Sequence, residues 1–222
     1  GLIIIGEKAP SGSAEKAQFE VCNDIIRRLS AASGEEGLLD MLIDDRMEKL
    51  LAVLSRAMRR YALSDGKVHR PDTPLSVSAL FTGSGSEPSL ASQLRKEIAT
   101  SDSVDLLVSF IRWSGLRLII EELRRLSDRG RIRVITTCYM GATEIKCIDE
   151  LMKIRNTQLK VNYDTKSTRL HAKAYIFRRS SGMDTAYIGS SNISGPALGS
   201  GLEWNMKAAS DDLPHIITGV NA

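Results

Sequence analysis

Val104-Asp105-Leu106-Leu107-Val108-Ser109-Phe110 is an apolar-rich run that reads as a buried strand over 104–110. Helical and extended patterns alternate around it. Ser89, a residue type that caps helices, precedes helix 90–99, and strand 104–110 is followed by helix 115–128, strand 131–137, helix 144–153 and strand 158–163. This is the rhythm of βα units on a parallel sheet. It changes after Asp164, where three apolar-rich strands, 170–177, 185–189 and 202–209, arrive in close succession. The first two are joined through 178–184, a polar stretch with Gly182, and form a hairpin. The expected fold class is α/β: a mixed, largely parallel β-sheet flanked by helices on both faces and preceded by a helical N-terminal segment.

Towards the N-terminus the apolar residues Leu39, Ile43, Met47, Leu50, Leu54, Ala57 and Tyr61 recur at steps of three and four, which predicts a long amphipathic helix over 38–61. Residues 65–88 then carry Pro71, Pro74, Gly83, Gly85 and Pro88, all hostile to regular structure. The expected division is a helical segment, 1–75, and an α/β domain, 76–222. There is no internal repeat, and no Gly-x-x-x-x-Gly-Lys-Ser/Thr loop of the kind that cradles a nucleoside triphosphate.

Composition narrows the function. The 30 Lys and Arg nearly balance 27 Asp and Glu, for a formal charge of +3, so any basic site is local. Cys22, Cys138 and Cys147 match no metal-ligand spacing and read as ordinary thiols of a reducing compartment. The apolar residues 2–5 are too few to span a bilayer, and no signal-peptide pattern follows. A cytoplasmic location is expected, with no membrane partner, metal or cofactor.

One constellation carries chemistry. In a strand, residues two apart share a side, so His171 and Lys173 are expected to project together from 170–177. Gly189-Ser190-Ser191-Asn192 closes the next strand with a corner whose amide and hydroxyls reach the same place, and Glu203 alternates with Leu202 and Trp204 on the last one. Such a set suits phosphoryl transfer without a metal. His171 is the nucleophile, Lys173 and Asn192 stabilise charge on the non-bridging oxygens, Ser190 and Ser191 bind phosphate, and Glu203 orients the imidazole. Taken singly each residue has an ordinary structural alternative, and the conjunction is what points to a site.

His-x-Lys followed by Gly-Ser-x-Asn resembles the signature of the phospholipase D superfamily, matched by His171, Lys173, Gly189, Ser190 and Asn192. The family pattern has Asp five residues after the Lys, where this chain has Arg178, and a shorter spacing to the Gly. The second departure fits a longer hairpin, and the first bears on turnover rather than on fold. Glu203 resembles the acidic residue that metal-independent nucleases of the superfamily place beside their histidine. A wider resemblance runs from about Pro74 onward and includes Leu80-Phe81-Thr82-Gly83, Ser109-Phe110-Ile111-Arg112-Trp113-Ser114-Gly115, Tyr139-Met140-Gly141-Ala142-Thr143 and Gly201-Leu202-Glu203-Trp204-Asn205. It is similar to the phospholipase D-like domain at the front of large bacterial superfamily 2 helicases of the restriction and defence type. That resemblance implies a fragment whose ATP-dependent helicase motor lies beyond Ala222.

Enzymes of the superfamily use two histidines, one to attack phosphorus and one to protonate the leaving oxygen. This chain has a single His-x-Lys, since His69 and His215 lack the lysine. The resemblance therefore implies a symmetric homodimer that brings two copies of His171 together. The substrate expected is nucleic acid, DNA first. Arg112 and Trp113, after strand 104–110, are the candidate contacts for a phosphate and a base. Gly141-Ala142-Thr143 offers amides to an anion, and Arg178 and Arg179 are expected on the hairpin beside the pocket. Two other readings compete: a binding and dimerisation module that has lost turnover, and a lipid phosphodiesterase, disfavoured because no membrane-facing amphipathic segment lies near the motif.

Overall fold

The computed structural model describes residues 14–43, 63–64, 67–68, 70–164 and 170–220. The chain divides into two compact units, Gly1–Val53 and Leu54–Ala222. In the first, α1 (Ala14–Ser33) ends where Gly34 takes φ +73 and returns its N–H to the Ser30 carbonyl at 2.9 Å, a left-handed cap that a β-carbon disfavours. A 3₁₀ turn, Glu36–Met41, follows. Asn23 ties the following chain back to α1, its Nδ2 donating to the Ile43 carbonyl at 2.9 Å and its Oδ1 accepting from the Ile43 amide at 2.8 Å. The α-helix expected over 38–61 therefore does not begin as one: residues 38–41 are 3₁₀ and Leu42 is extended, because the chain must turn to reach Asn23. Residues 44–61 of that expectation lie outside the described residues.

The second unit is built on a seven-stranded sheet. Its strands are β1 (Ala79–Phe81), β2 (Ser103–Leu107), β3 (Arg131–Thr137), β4 (Thr157–Asn162), β5 (Ala174–Arg178), β6 (Thr185–Gly189) and β7 (Asn205–Ala209), in the spatial order β1-β7-β6-β5-β2-β3-β4. The sheet is mixed, as expected. Its parallel part is confined to β2, β3 and β4, while β1, β5, β6 and β7 pair antiparallel, so it is less parallel than the alternation of elements implied. Only the βα crossovers enforce parallel pairing, and they stop at β4.

The helix α2 (Leu90–Thr100) starts where the Ser89 hydroxyl accepts the Ser92 amide at 3.3 Å, the cap the sequence predicts. Leu90, Leu94 and Ile98, spaced by four, are buried on its inner face. The single helix expected over 115–128 is two, α3 (Trp113–Leu116) and α4 (Ile120–Ser127). Gly115 lies against the backbone of Ile193 and Ser194, where a β-carbon would overlap it. From there the chain tightens into three-residue turns, Leu118 to Gly115 and Ile119 to Leu116, before α4 lies down beside α2. The helix α5 (Ile145–Met152) packs on β4, and α6 (Gly195–Leu198) meets α3.

Strand alternation sorts the core. Val104, Leu106, Ile132, Val134, Tyr175, Phe177 and Tyr187 join α2, α4 and α5 in one large cluster. Ile176, Ala186 and Ala208, alternating with them, point the other way and pack against Ile217 of α7 (Pro214–Val220). Helices thus flank both faces, unequally. The three cysteines are free, and burial pushes the Cys147 thiol up to about 11, which keeps it protonated and inert. No described helix is long and apolar enough to cross a membrane.

Candidate active site

Four strands bring their ends to one edge of the sheet. Leu107, the last residue of β2, pairs with Ala174, the first of β5; Ala174 pairs with Ile188; and Gly189, the last of β6, pairs with Asn205, the first of β7. His171, Lys173 and Glu203 lie just outside this edge, in chain leading into β5 and β7, rather than inside the strands expected over 170–177 and 202–209. The ladders end there because β2 has no further residue to pair with β5. One hydrogen bond, from the Gly189 amide to the Lys173 carbonyl at 3.3 Å, continues the pairing.

His171 is exposed and Lys173 is buried, and the Lys173 ammonium lies 3.0 Å from His171 Nδ1 and donates to the His171 carbonyl at 2.7 Å. They meet, but through local backbone geometry rather than by sharing a strand face. Burial lowers the Lys173 pKa from its ordinary value, opposed by the Glu203 carboxylate. Burial, joined by the same carboxylate, raises that of Tyr175. Glu203 accepts the Ser190 hydroxyl, and Ser190 is further clamped to Trp204, its amide donating to the Trp204 carbonyl at 3.0 Å and its Oγ accepting the Trp204 amide at 3.2 Å. Among the described residues no hydrogen bond joins Glu203 to the imidazole, so the orienting contact expected of Glu203 falls on Ser190 instead. Gly189 is needed at this corner, since a β-carbon would overlap the Trp204 carbonyl.

Asn192 is buried at the same edge. Its Oδ1 accepts the amides of Ser109, at 2.9 Å, and Phe110, at 3.1 Å, so only its NH₂ is left for a phosphate oxygen. Ser191 does not face the pocket. It is fully buried, its hydroxyl donates to the Ala197 carbonyl at 3.4 Å and accepts Asn205 Nδ2 at 2.8 Å, and its carbonyl takes the Tyr175 hydroxyl at 3.0 Å. Ser191 is thus a positioning residue for the corner, and phosphate binding by it is corrected. Sequence reasoning missed Tyr175, Ser109 and Asn205 as supports of this corner. The only signal available was their position at strand ends.

Three segments expected to offer basic or amide contacts also make contacts within the chain. Arg112 lies 3.6 Å from Glu144, and the Trp113 amide donates to the same carboxylate at 2.9 Å. The Trp113 ring packs on the core with the Lys146 ammonium 4.0 Å from its centre, an arrangement that uses the indole internally. The Gly141 and Ala142 amides are spent on turn bonds to Cys138 and Tyr139, at 3.0 and 3.2 Å. Arg178 and Arg179 sit at the far end of β5 from Lys173, because the hairpin 178–184 closes the end opposite the site. Arg178 pairs with Asp105, and Arg179 is buried against Glu97 at 2.5 Å. Arg178, at the family's Asp position, therefore leaves the pocket untouched.

Asp105 also takes Arg133 in a two-pronged pair, at 2.6 and 2.5 Å. Burial tends to raise its pKa, but the bonds from Arg133 and Arg178 outweigh it and the carboxyl is held below the ordinary 3.8. A depressed carboxyl stabilises the fold above its unfolded pKa, and that contribution is lost as pH falls through the folded one. The urea midpoint of wild type is therefore expected to exceed that of Asp105→Asn at neutral pH, with the gap closing below pH 3.8. A gap independent of pH would show that the carboxylate is not what holds the two guanidiniums.

The chain belongs to the phospholipase D-like family: the model of the cardiolipin synthase, PLD-like domain matches residues 94–218, more than half of its 222 residues. Among solved structures it is similar to NucT from Helicobacter pylori, with a TM-score of 0.52 and 18% identity over 65% of this chain and 91% of that one. It is also similar to Nuc from Salmonella typhimurium, a phospholipase D family member, with a TM-score of 0.47, 18% identity and 65% and 90% covered. Yeast tyrosyl-DNA phosphodiesterase is more distant, with a TM-score of 0.39, 11% identity and 60% and 32% covered. These likenesses are of fold. No curated relative matches the sequence. Among the described residues no group of three His, Cys, Asp or Glu is placed to hold a metal ion.

Proposed function

We propose that this chain is a nucleic-acid phosphodiesterase, DNA being the first substrate to test, in which His171 is the nucleophile of a half-site completed by a second copy. The observation that supports it is the contact of His171 with a buried Lys173 at the edge where Ser190, Asn192 and Glu203 converge. In this reading His171 attacks phosphorus and the P–O bond to the leaving strand breaks. The second copy's imidazole gives its proton to the leaving oxygen, and water then hydrolyses the phosphohistidine. Lys173 and the Asn192 NH₂ neutralise the non-bridging oxygens. The chain's place at the front of a superfamily 2 helicase, and a cytoplasmic setting, belong to the same proposal through the wider motif resemblance.

A second reading, a binding and dimerisation module without turnover, is favoured by one observation: the Glu203 carboxylate is engaged by Ser190 rather than by the imidazole. The deciding assay presents labelled single- and double-stranded DNA, RNA and a phosphatidyl ester to the purified chain in EDTA. Cleavage of a nucleic acid is expected, whereas salt-sensitive binding without cleavage of any substrate would leave the module. The Lys173 pKa is lowered, so its charged form is lost as pH rises through that lowered value. The basic limb of the kcat/KM profile is accordingly expected below the ordinary lysine value of 10.5, and Lys173→Arg is expected to move it upward.

A further inference from the structure

Between the loop that follows β1 and the loop that leads into β7 lies a groove of about 400 Å³, within the size range of small-ligand sites. Phe81, Leu90 and Ala197 make its apolar lining, and Gly83 and Gly201 bring the two loops together so closely that a β-carbon on Gly83 would overlap the Gly201 carbonyl. Among the described residues lining it there is no Lys, Arg or His, while Glu87 and Glu203 are both present. A phosphate is repelled by such walls. Yet Glu203 also accepts the Ser190 hydroxyl of the candidate active site, so the groove and that site share this carboxylate.

The two charged side chains of the groove are both carboxylates. Glu87 is committed to its own loop, accepting the Thr82 and Gly83 amides at 2.7 and 3.1 Å, bonds that hold its carboxyl below the ordinary value. Asn205 is 2% exposed and gives Nδ2–H to Ser191, while its Oδ1 is buried and accepts no hydrogen bond among the described residues. With the Asn205 amide sealed beneath the lining and Glu87 spent on its own loop, Glu203 is the carboxylate left to meet a ligand in the groove. A neutral, flat ligand bearing N–H donors satisfies these walls and an anion does not.

We infer that the groove receives the nucleobase adjoining the scissile phosphate and favours adenine, through its 6-amino group, or cytosine, through its 4-amino group, over thymine or uracil. This rests on the phosphodiesterase reading, which supplies the phosphate next door. Thymine and uracil present a carbonyl oxygen where cytosine and adenine present an amino donor, and a carboxylate accepts such an amine but repels the oxygen, so the Glu203 carboxylate discriminates between them.

The test is a titration of the ¹⁵N-labelled full chain with inorganic phosphate, dAMP, dCMP and dTMP, followed by amide chemical shifts. Phosphate is expected to move Ser190 and Asn192. dAMP and dCMP are expected to move Ser84, Ser200 and Gly201 in addition, with a Kd about threefold to tenfold lower than that of dTMP, the worth of one hydrogen bond. In Ser200→Trp, whose indole would fill the groove, the difference between nucleotide and phosphate is expected to vanish. If phosphate moves Ser190 and Asn192 but no nucleotide moves the groove amides further, or if the difference survives in Ser200→Trp, the base site is overturned and the phosphodiesterase reading stands. If the groove amides respond to dAMP and dCMP while phosphate leaves Ser190 and Asn192 unmoved, the base site stands and the phosphate site falls. Silence everywhere overturns both.

Discussion

Glu97→Ala is expected to destabilise the Leu54–Ala222 unit by about 3–5 kcal/mol, the cost of stranding buried charges without their partner. Glu97 is fully buried and sits between two buried cations, with Arg179 at 2.5 Å and Lys207 at 3.9 Å. It also accepts the hydroxyls of Thr185, at 2.8 Å, and Tyr187, at 3.0 Å. Lys207 in turn donates to the Thr73 and Pro74 carbonyls at 3.2 and 2.6 Å, so the carboxylate indirectly fixes the chain that leads into β1. Burial already lowers the Lys207 pKa, opposed by Glu97, and removing the carboxylate takes that opposition away. Set against a total of about 5–15 kcal/mol for a typical domain, the loss is severe. Urea denaturation of wild type, Glu97→Ala and Glu97→Gln measures it, with the amide expected to recover part of the hydrogen bonding but not the charge. A loss under about 1 kcal/mol for the alanine variant would mean that Arg179 and Lys207 find other partners, and the network would not be what joins α2 to the sheet.

His171→Ala is expected to reduce phosphodiester cleavage by at least about a thousandfold, since both the attack on phosphorus and the proton for the leaving oxygen depend on this imidazole in the two copies. His171 is exposed at the sheet edge, so truncating it leaves no cavity in the core, and its thermal midpoint is expected to match wild type. Mixing equal amounts of the two chains and letting subunits exchange adds a test of the shared site. About a quarter of randomly formed dimers carry two histidines, and only those are expected to cleave. If each wild-type chain instead keeps its full activity after exchange, the site is complete within one copy and the dimer reading fails. Retained cleavage by His171→Ala itself would remove the histidine from the mechanism.

Arg178 shows how far a linear motif can be read. In the sequence it stands where the family carries Asp and so bears on turnover. In the fold it is at the far end of β5, paired with Asp105, and has no part in the pocket. Ser191 shows the reverse, a motif residue that looks like a phosphate ligand and is buried beneath the corner it supports. Arg129 likewise turns inward, donating to the Ile98, Ala99 and Ser101 carbonyls at 3.1, 3.0 and 3.2 Å and closing the end of α2.

Periodicity and spacing within a few residues record the alternation of helices and strands from Ser89 to β4, apart from the break between α3 and α4, and the hairpin 178–184, whereas α6, α7 and the way His171 meets Lys173 lie outside those patterns. The cap at Ser89 and strand 131–137 are local in the same sense and stand as read. Among the described residues of the N-terminal unit, Ala14–Ser33 is α-helical and residues 38–41 are not, since the contact that shapes residues 38–43 comes from Asn23, twenty residues before Ile43. Packing of the sheet sets which end of each strand faces the site, which arginines are consumed by Asp105 and Glu97, and that Glu203 reaches Ser190 rather than the imidazole. Those outcomes depend on sheet register and on desolvated charges meeting across tens of residues, and no pattern along one segment records them.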